Sequence, residues 1–150
     1  MLRGNALMGQ AKVKGNTPEG DSLFAEAGRK YAEALRIKPD KHEAYNNWGT
    51  ALSAQAKLKG NTPEGDSLFA EAGRKYAEAL RLEPKDALKW FNFACLAGLL
   101  GNAGECVSRL GEWKRFDSAP TAEKLDRDSD FDNVRTDPGF VAFRATLPSA

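Results

Sequence analysis

The chain carries the same 23 letters twice. Lys14 to Arg36 reads KGNTPEGDSLFAEAGRKYAEALR, and Lys59 to Arg81 repeats it without a change, 45 residues later. A repeat of this period marks a stacked architecture, in which each unit buries on its neighbour an apolar face it cannot bury alone. Identity that extends over exposed positions also says that the duplication is recent or deliberate.

The doubled stretch reads as one helix with clear ends. Thr62 suits an N-cap and Pro63 the first helical position, while Glu64 and Asp66 put negative charge in the first turn. Leu68, Phe69, Ala72, Tyr76, Ala79 and Leu80 fall on one stripe at helical spacing. Glu71, Arg74, Lys75, Glu78 and Arg81 take the other side, spaced for pairing of opposite charges, and Pro84 ends the run. Gly73 in the middle lowers helix propensity, a cost that the close approach of a neighbouring helix would offset. The first copy reads the same way from Thr17 to Pro39.

Between the copies, Asp40 is expected to cap a second helix running to about Leu58, with Tyr45, Trp48, Leu52 and Ala56 as its apolar stripe and Gly49 as a small contact point. Gly60 and Asn61 make the turn into the next copy. The unit is thus a helical hairpin. Ala6 to Lys14 matches the end of such a first helix through Gly4, Ala6, Leu7 and Gln10 against Gly49, Ala51, Leu52 and Gln55. On this alignment the array begins inside a repeat.

Tyr45-x2-Trp48-Gly49-x2-Leu52, followed by Ala72-x3-Tyr76, Ala79 and Pro84, resembles the tetratricopeptide repeat with aromatic residues exchanged at its large positions. Trp90-x2-Phe93-Ala94-x2-Ala97 and then Cys106-x3-Leu110 and Trp113 fit the same pattern. Trp90 to Cys106 spans 16 residues, the family's ordinary spacing, whereas Tyr45 to Ala72 spans 27. The 11 extra residues, roughly Ala56 to Asp66, added to the family's period of 34 give 45. They are expected to lengthen both helices of the hairpin rather than form a loop. Similar long-helix units occur in the plant-type import receptor of the mitochondrial outer membrane, whose membrane anchor is not read in this chain.

The resemblance implies an all-α fold: antiparallel hairpins stacked as a short right-handed superhelix, or α-solenoid. The expected array covers 1–118, divided into a truncated repeat at 1–40, a lengthened one at 41–86 and an ordinary one at 87–118. Residues 119–150 are expected to cap its last apolar face with short helices from Pro120 and from Asp137-Pro138. The run Asp130-Phe-x2-Val-Arg-x-Asp-Pro-x-Phe140 resembles tails that follow bacterial arrays of this kind. The helix from Ala87 to Leu100 is apolar nearly all round, so more than one side of it needs cover. The tail, a partner helix and a second copy are the candidates.

Catalytic and metal chemistry find little to stand on. Asp126, Asp128, Asp130, Asp132 and Asp137 have the spacing of a calcium loop, but Phe131 stands where that loop needs glycine. Caps and a solvated turn explain them better. Gly15 to Gly20 is bracketed by glycines, yet no Gly-Lys-Ser/Thr follows, which rejects a phosphate loop. Cys95 and Cys106 read as buried thiols and the lone His42 as exposed and inert. No nucleophile, base and orienting group assemble, so an enzyme is not expected, and no cofactor is implied.

What remains is a binding surface. In the family that the repeats resemble, first helices line a concave groove for extended or helical peptides. The positions beside the packing stripe are Asn46, Thr50, Ser53 and Lys57, with Asn5, Met8 and Lys12 as counterparts one period earlier, and Phe91, Asn92 and Cys95 in the third unit. Leu88, Phe91 and Asn92 argue against the carboxylate clamp of chaperone-binding members, which needs cations there. The expected partner is therefore a protein or peptide, with homo-oligomers through open repeat ends or domain swapping as the alternative. With 22 basic and 21 acidic residues, no field draws in nucleic acid or a membrane. The start MLRGNALMGQ has no signal-peptide run and no apolar stretch spans a bilayer, so the expected setting is cytoplasmic, without a membrane partner.

Overall fold

A computed structural model describes residues 1–149. The fold is all-α, with neighbouring helices packed in the manner of an α-solenoid. The helices are α1 (Leu2–Lys14), α2 (Pro18–Ile37), α3 (His42–Lys59), α4 (Pro63–Leu82), α5 (Ala87–Leu99), α6 (Ala103–Phe116), α7 (Ala122–Arg127) and α8 (Pro138–Ala145), with a 3-10 turn at Ser129–Phe131. The molecule divides into two compact units, Met1–Pro84 and Lys85–Ala150.

The helix ends follow local chemistry. Thr17 and Thr62 accept from the backbone N–H of Gly20 and Gly65 at 3.0 Å, with proline at the first helical position. Gly15 and Gly60 turn the chain at φ 66° and 63°, a conformation that glycine adopts without penalty. Their carbonyl oxygens lie 2.2 and 2.5 Å from where a Cβ on Gly20 or Gly65 would sit. The glycine brackets of KGNTPEG are thus a steric device for a tight corner. Asp40 does not cap α3: it lies exposed in a turn, the N-cap is Lys41, and no side chain bonds the first turn.

The lengthening is helical. α3 and α4 have 18 and 20 residues, where α5 and α6 have 13 and 14, so the differences of five and six account for the eleven extra residues.

In the first unit, each second helix lays a tyrosine across a glycine of its first helix. A Cβ on Gly4 or Gly49 would come within 2.9 Å of the ring of Tyr31 or Tyr76, and both rings are buried. α3 then packs on the preceding hairpin, bringing Ala51 and Trp48 onto Leu7, Ala27 and Tyr31. The Tyr31 and Trp48 rings stack with centroids 6.5 Å apart, and Gly28 admits the indole, whose Nε1 lies 3.3 Å from where a Cβ would be. Lys75 leaves the charge-paired face to lie 3.9 Å over the same indole.

In the second unit, α5 and α6 share a core with the tail: Phe91, Ala94, Leu110 and Trp113 pack with Leu125, Phe131, Val134 and Phe140. The 3-10 turn rests on α5 and α8 on α6. Gly98 lets the backbone carbonyl of Asp130 approach to 2.6 Å of a would-be Cβ. Asp137 caps α8 through Gly139 and Phe140. Arg144 clamps Asp126 with both ends of its guanidinium.

Candidate partner-binding site

Seven of the ten candidate groove residues lie in the first unit. Their burial follows the helix turn rather than their polarity. Asn46 and Ser53 on α3 are buried at 7% and 9% exposure, Asn5, Met8 and Thr50 are half-buried, and Lys12 and Lys57 are exposed. Met8 packs against the cluster of Leu7, Ala27, Tyr31 and Ala51.

Two of these residues already serve the hairpin. The Tyr31 hydroxyl donates to Asn5 Oδ1 at 2.6 Å, and the Thr50 and Tyr76 hydroxyls lie 3.1 Å apart, one period later. Burial pushes the Tyr31 hydroxyl up to about 12, so it remains a donor through the neutral range. Thr50 also donates to the Asn46 carbonyl at 3.1 Å. Ser53 Oγ is buried with no hydrogen-bond partner among the described residues, as is His42 Nδ1. A buried hydroxyl in that state costs free energy. His42 is half-buried rather than exposed, with Nε2 3.5 Å from Glu43.

The other three lie in the second unit. Phe91 is buried, its ring 5.3 Å from Trp113 and 5.6 Å from Phe131 between centroids, so it is a core residue. A shallow recess of about 510 Å³, bounded by Thr121, Lys124 and Asp128 among others, reaches its edge, and Lys124 Nζ lies 4.8 Å over the ring. Asn92 is half-buried. Cys95 is buried and its thiol donates to Asp128 Oδ2 at 3.6 Å. Burial, with Asp128 and Asp130 beside it, pushes that thiol far up, and burial pushes Cys106 up to about 12. Neither is a ready thiolate nucleophile. Cys95, Asp128 and Asp130 bring donor atoms within 4.8 Å of one another. Asp128 also accepts from the backbone N–H of Asp130 at 2.9 Å, which makes it the cap of the 3-10 turn.

Sequence reasoning missed the tie between hairpins. Lys59 Nζ donates to Asp21 Oδ2 at 2.8 Å and Gln55 Nε2 to Oδ1 at 3.3 Å, joining the end of α3 to the start of α2. The hydrogen bond from Lys59 holds the Asp21 carboxyl below its ordinary range. Gln10 and Lys14 repeat this pair 45 residues earlier, which was the available signal.

Residues 2–94 match the family described as plant-specific mitochondrial import receptor subunit TOM20. The match covers more than half of the chain. The chain belongs to that family. The match spans the lengthened hairpins and ends within α5, before α6 and the tail. A search of curated proteins finds no match. Membership overturns two expectations, the cytoplasmic setting and the exclusion of a membrane, because the family is one of mitochondrial import receptor subunits. Balanced charge and short apolar runs describe how these helices meet water, and they do not tell at which membrane a receptor works. No described helix is long and apolar enough to cross a bilayer.

Proposed function

We propose that the chain is a non-enzymatic receptor that holds a segment of an imported protein against the first helices of its lengthened, tetratricopeptide-like hairpins. Membership of an import-receptor family supports a protein ligand. The observation that supports the place is a polar row beside the packing stripe: Asn5 and Thr50 are half-buried one period apart, and Asn46 lies one turn before Thr50 on α3. A peptide backbone laid along this row offers both donors and acceptors to it. Asn5 keeps its amide N–H groups for a ligand, since Tyr31 takes only its oxygen. Lys12 and Lys57 stand at the far ends of α1 and α3 as an exposed rim.

Organelle-targeting segments are amphipathic and rich in arginine. Such a segment would be read by its apolar face and backbone, with the lysine rim setting its direction by repulsion. An NMR titration of the whole chain with a synthetic basic amphipathic peptide tests this. Shifts should gather on α1 and α3, Asn5→Ala with Asn46→Ala should weaken binding several-fold, and Lys12→Glu with Lys57→Glu should tighten it. Shifts confined to other helices, or affinity indifferent to all four substitutions, would overturn the assignment.

A further inference from the structure

The first hairpin exposes a surface that the second hairpin uses. On α3, Trp48, Ala51, Gln55 and Lys59 meet the preceding hairpin, and Leu58 is half-buried beside Lys59. Ala51 is buried at 3%, Trp48 stacks on Tyr31, and Gln55 and Lys59 grip Asp21. One period earlier, α1 has Arg3, Ala6, Gln10, Val13 and Lys14 at the same register, and all five are exposed, Val13 at 86%. Gln10 and Lys14 repeat the polar grip in kind. Lys14 already meets Glu19 at 3.4 Å, as Lys59 meets Glu64 at 3.7 Å. What this α1 surface lacks is the aspartate.

The complementary half is on the same chain. α2 and α4 have identical letters from Pro18 to Arg36 and from Pro63 to Arg81, so Asp66 and Phe69 correspond to Asp21 and Phe24. Asp21 is gripped and Phe24 is buried at 5%, whereas Asp66 is exposed and Phe69 only half-buried. Since Lys59 near the end of α3 meets Asp21 near the start of α2, the two helices run antiparallel. The end of α1 can meet the start of α4 in the same way.

We propose that a second copy of this chain docks head to tail, with the first turns of its α4, through Asp66 and Phe69, seated on Gln10, Val13 and Lys14 of the first. The joint reuses a contact made inside every molecule, with the same glutamine, lysine, aspartate and phenylalanine, and this fixes both its charge complementarity and its direction. Because donor and acceptor surfaces differ, the joint is heterologous and extends into short open chains rather than closing as a dimer. It is independent of the groove reading, and neither fails with the other. The contact is small and one of its two elements is an exposed ion pair, so association belongs at high concentration.

Sedimentation velocity of the whole chain over a wide concentration range, with helicity checked by circular dichroism, is the test. The parent should self-associate reversibly. Lys14→Glu alone and Asp66→Lys alone should each weaken association about tenfold, since like charges then face each other. An equimolar mixture of the two should restore it, because Glu at 14 meets Lys at 66 and Lys14 still meets Asp66. A parent that stays monomeric at millimolar concentration overturns the proposal. So does association that either single variant leaves unchanged, or a mixture no better than its components.

Discussion

The two units close the same kind of hairpin with different side chains. In the first, Tyr31 and Tyr76 lie across Gly4 and Gly49 and end on Asn5 and Thr50. In the second, Leu110 stands at the tyrosine position and Ala94 at the glycine position, and both are buried in the core that the tail completes. A large residue on a small one has become a medium residue on a medium one. The volume is conserved and the hydroxyl tether is gone. The first unit is therefore braced by local contacts inside each hairpin, the second by Phe131, Val134 and Phe140 brought in from the tail.

The comparison predicts where each unit breaks. The largest effect should come from Phe131→Ala, which removes a fully buried ring from the second core and should cost about 3–4 kcal/mol there. Chemical denaturation followed by hydrogen exchange should show protection lost in α5 and α6 and retained in α1 to α4. Equal loss in both units would mean that the braces are not separate.

Next in size is a contrast between two glycines. Gly65→Ala drives a methyl into the Gly60 carbonyl, 2.5 Å away, and should cost about 1–3 kcal/mol. Gly111→Ala, in a helix with nothing within 4 Å of its Cβ, should stabilise by about 0.5–1 kcal/mol. Thermal melts of the two variants check the pair, and opposite signs are the expected result.

The tether itself should be worth less. Tyr76→Phe leaves the ring on Gly49 and removes only the hydroxyl near Thr50, for an expected loss of about 1 kcal/mol in urea unfolding. The smallest effect is the Asp21 tie. Its carboxyl is held low by Lys59, so its contribution is present above the ordinary aspartate range and is lost as pH falls through the lowered value. Asp21→Asn should flatten the acid limb of the stability profile slightly, as read from urea unfolding across the acid range.

The helices were legible because their signals are local. Thr17, Thr62 and the prolines that follow them cap as read, and a pattern of period 3.6 locates Tyr31 and Tyr76 in cores without knowledge of their neighbours. Asp40 misled because the turn around Pro39 supplies its own hydrogen bond, Lys41 N–H to the Lys38 carbonyl at 3.2 Å, and the helix begins beyond it. The site was harder to read. That Asn5 and Thr50 each meet a tyrosine 26 residues away depends on how two helices lean together, which periodicity along one helix does not report. Phe91 looked like the apolar end of a groove because its cover, Phe131, lies 40 residues further along the chain.

The corner at Gly60 and the grip of Gln55 and Lys59 on Asp21 fall within a single 45-residue period. A module cut at that period carries its own turn, its own cap and both halves of its joint. An array could therefore grow by whole modules without a new side chain to fit any interface, as bricks carry their own mortise and tenon. Length would then be set by how many times the period is copied, and the reach of the proposed binding face would rise in equal steps with it.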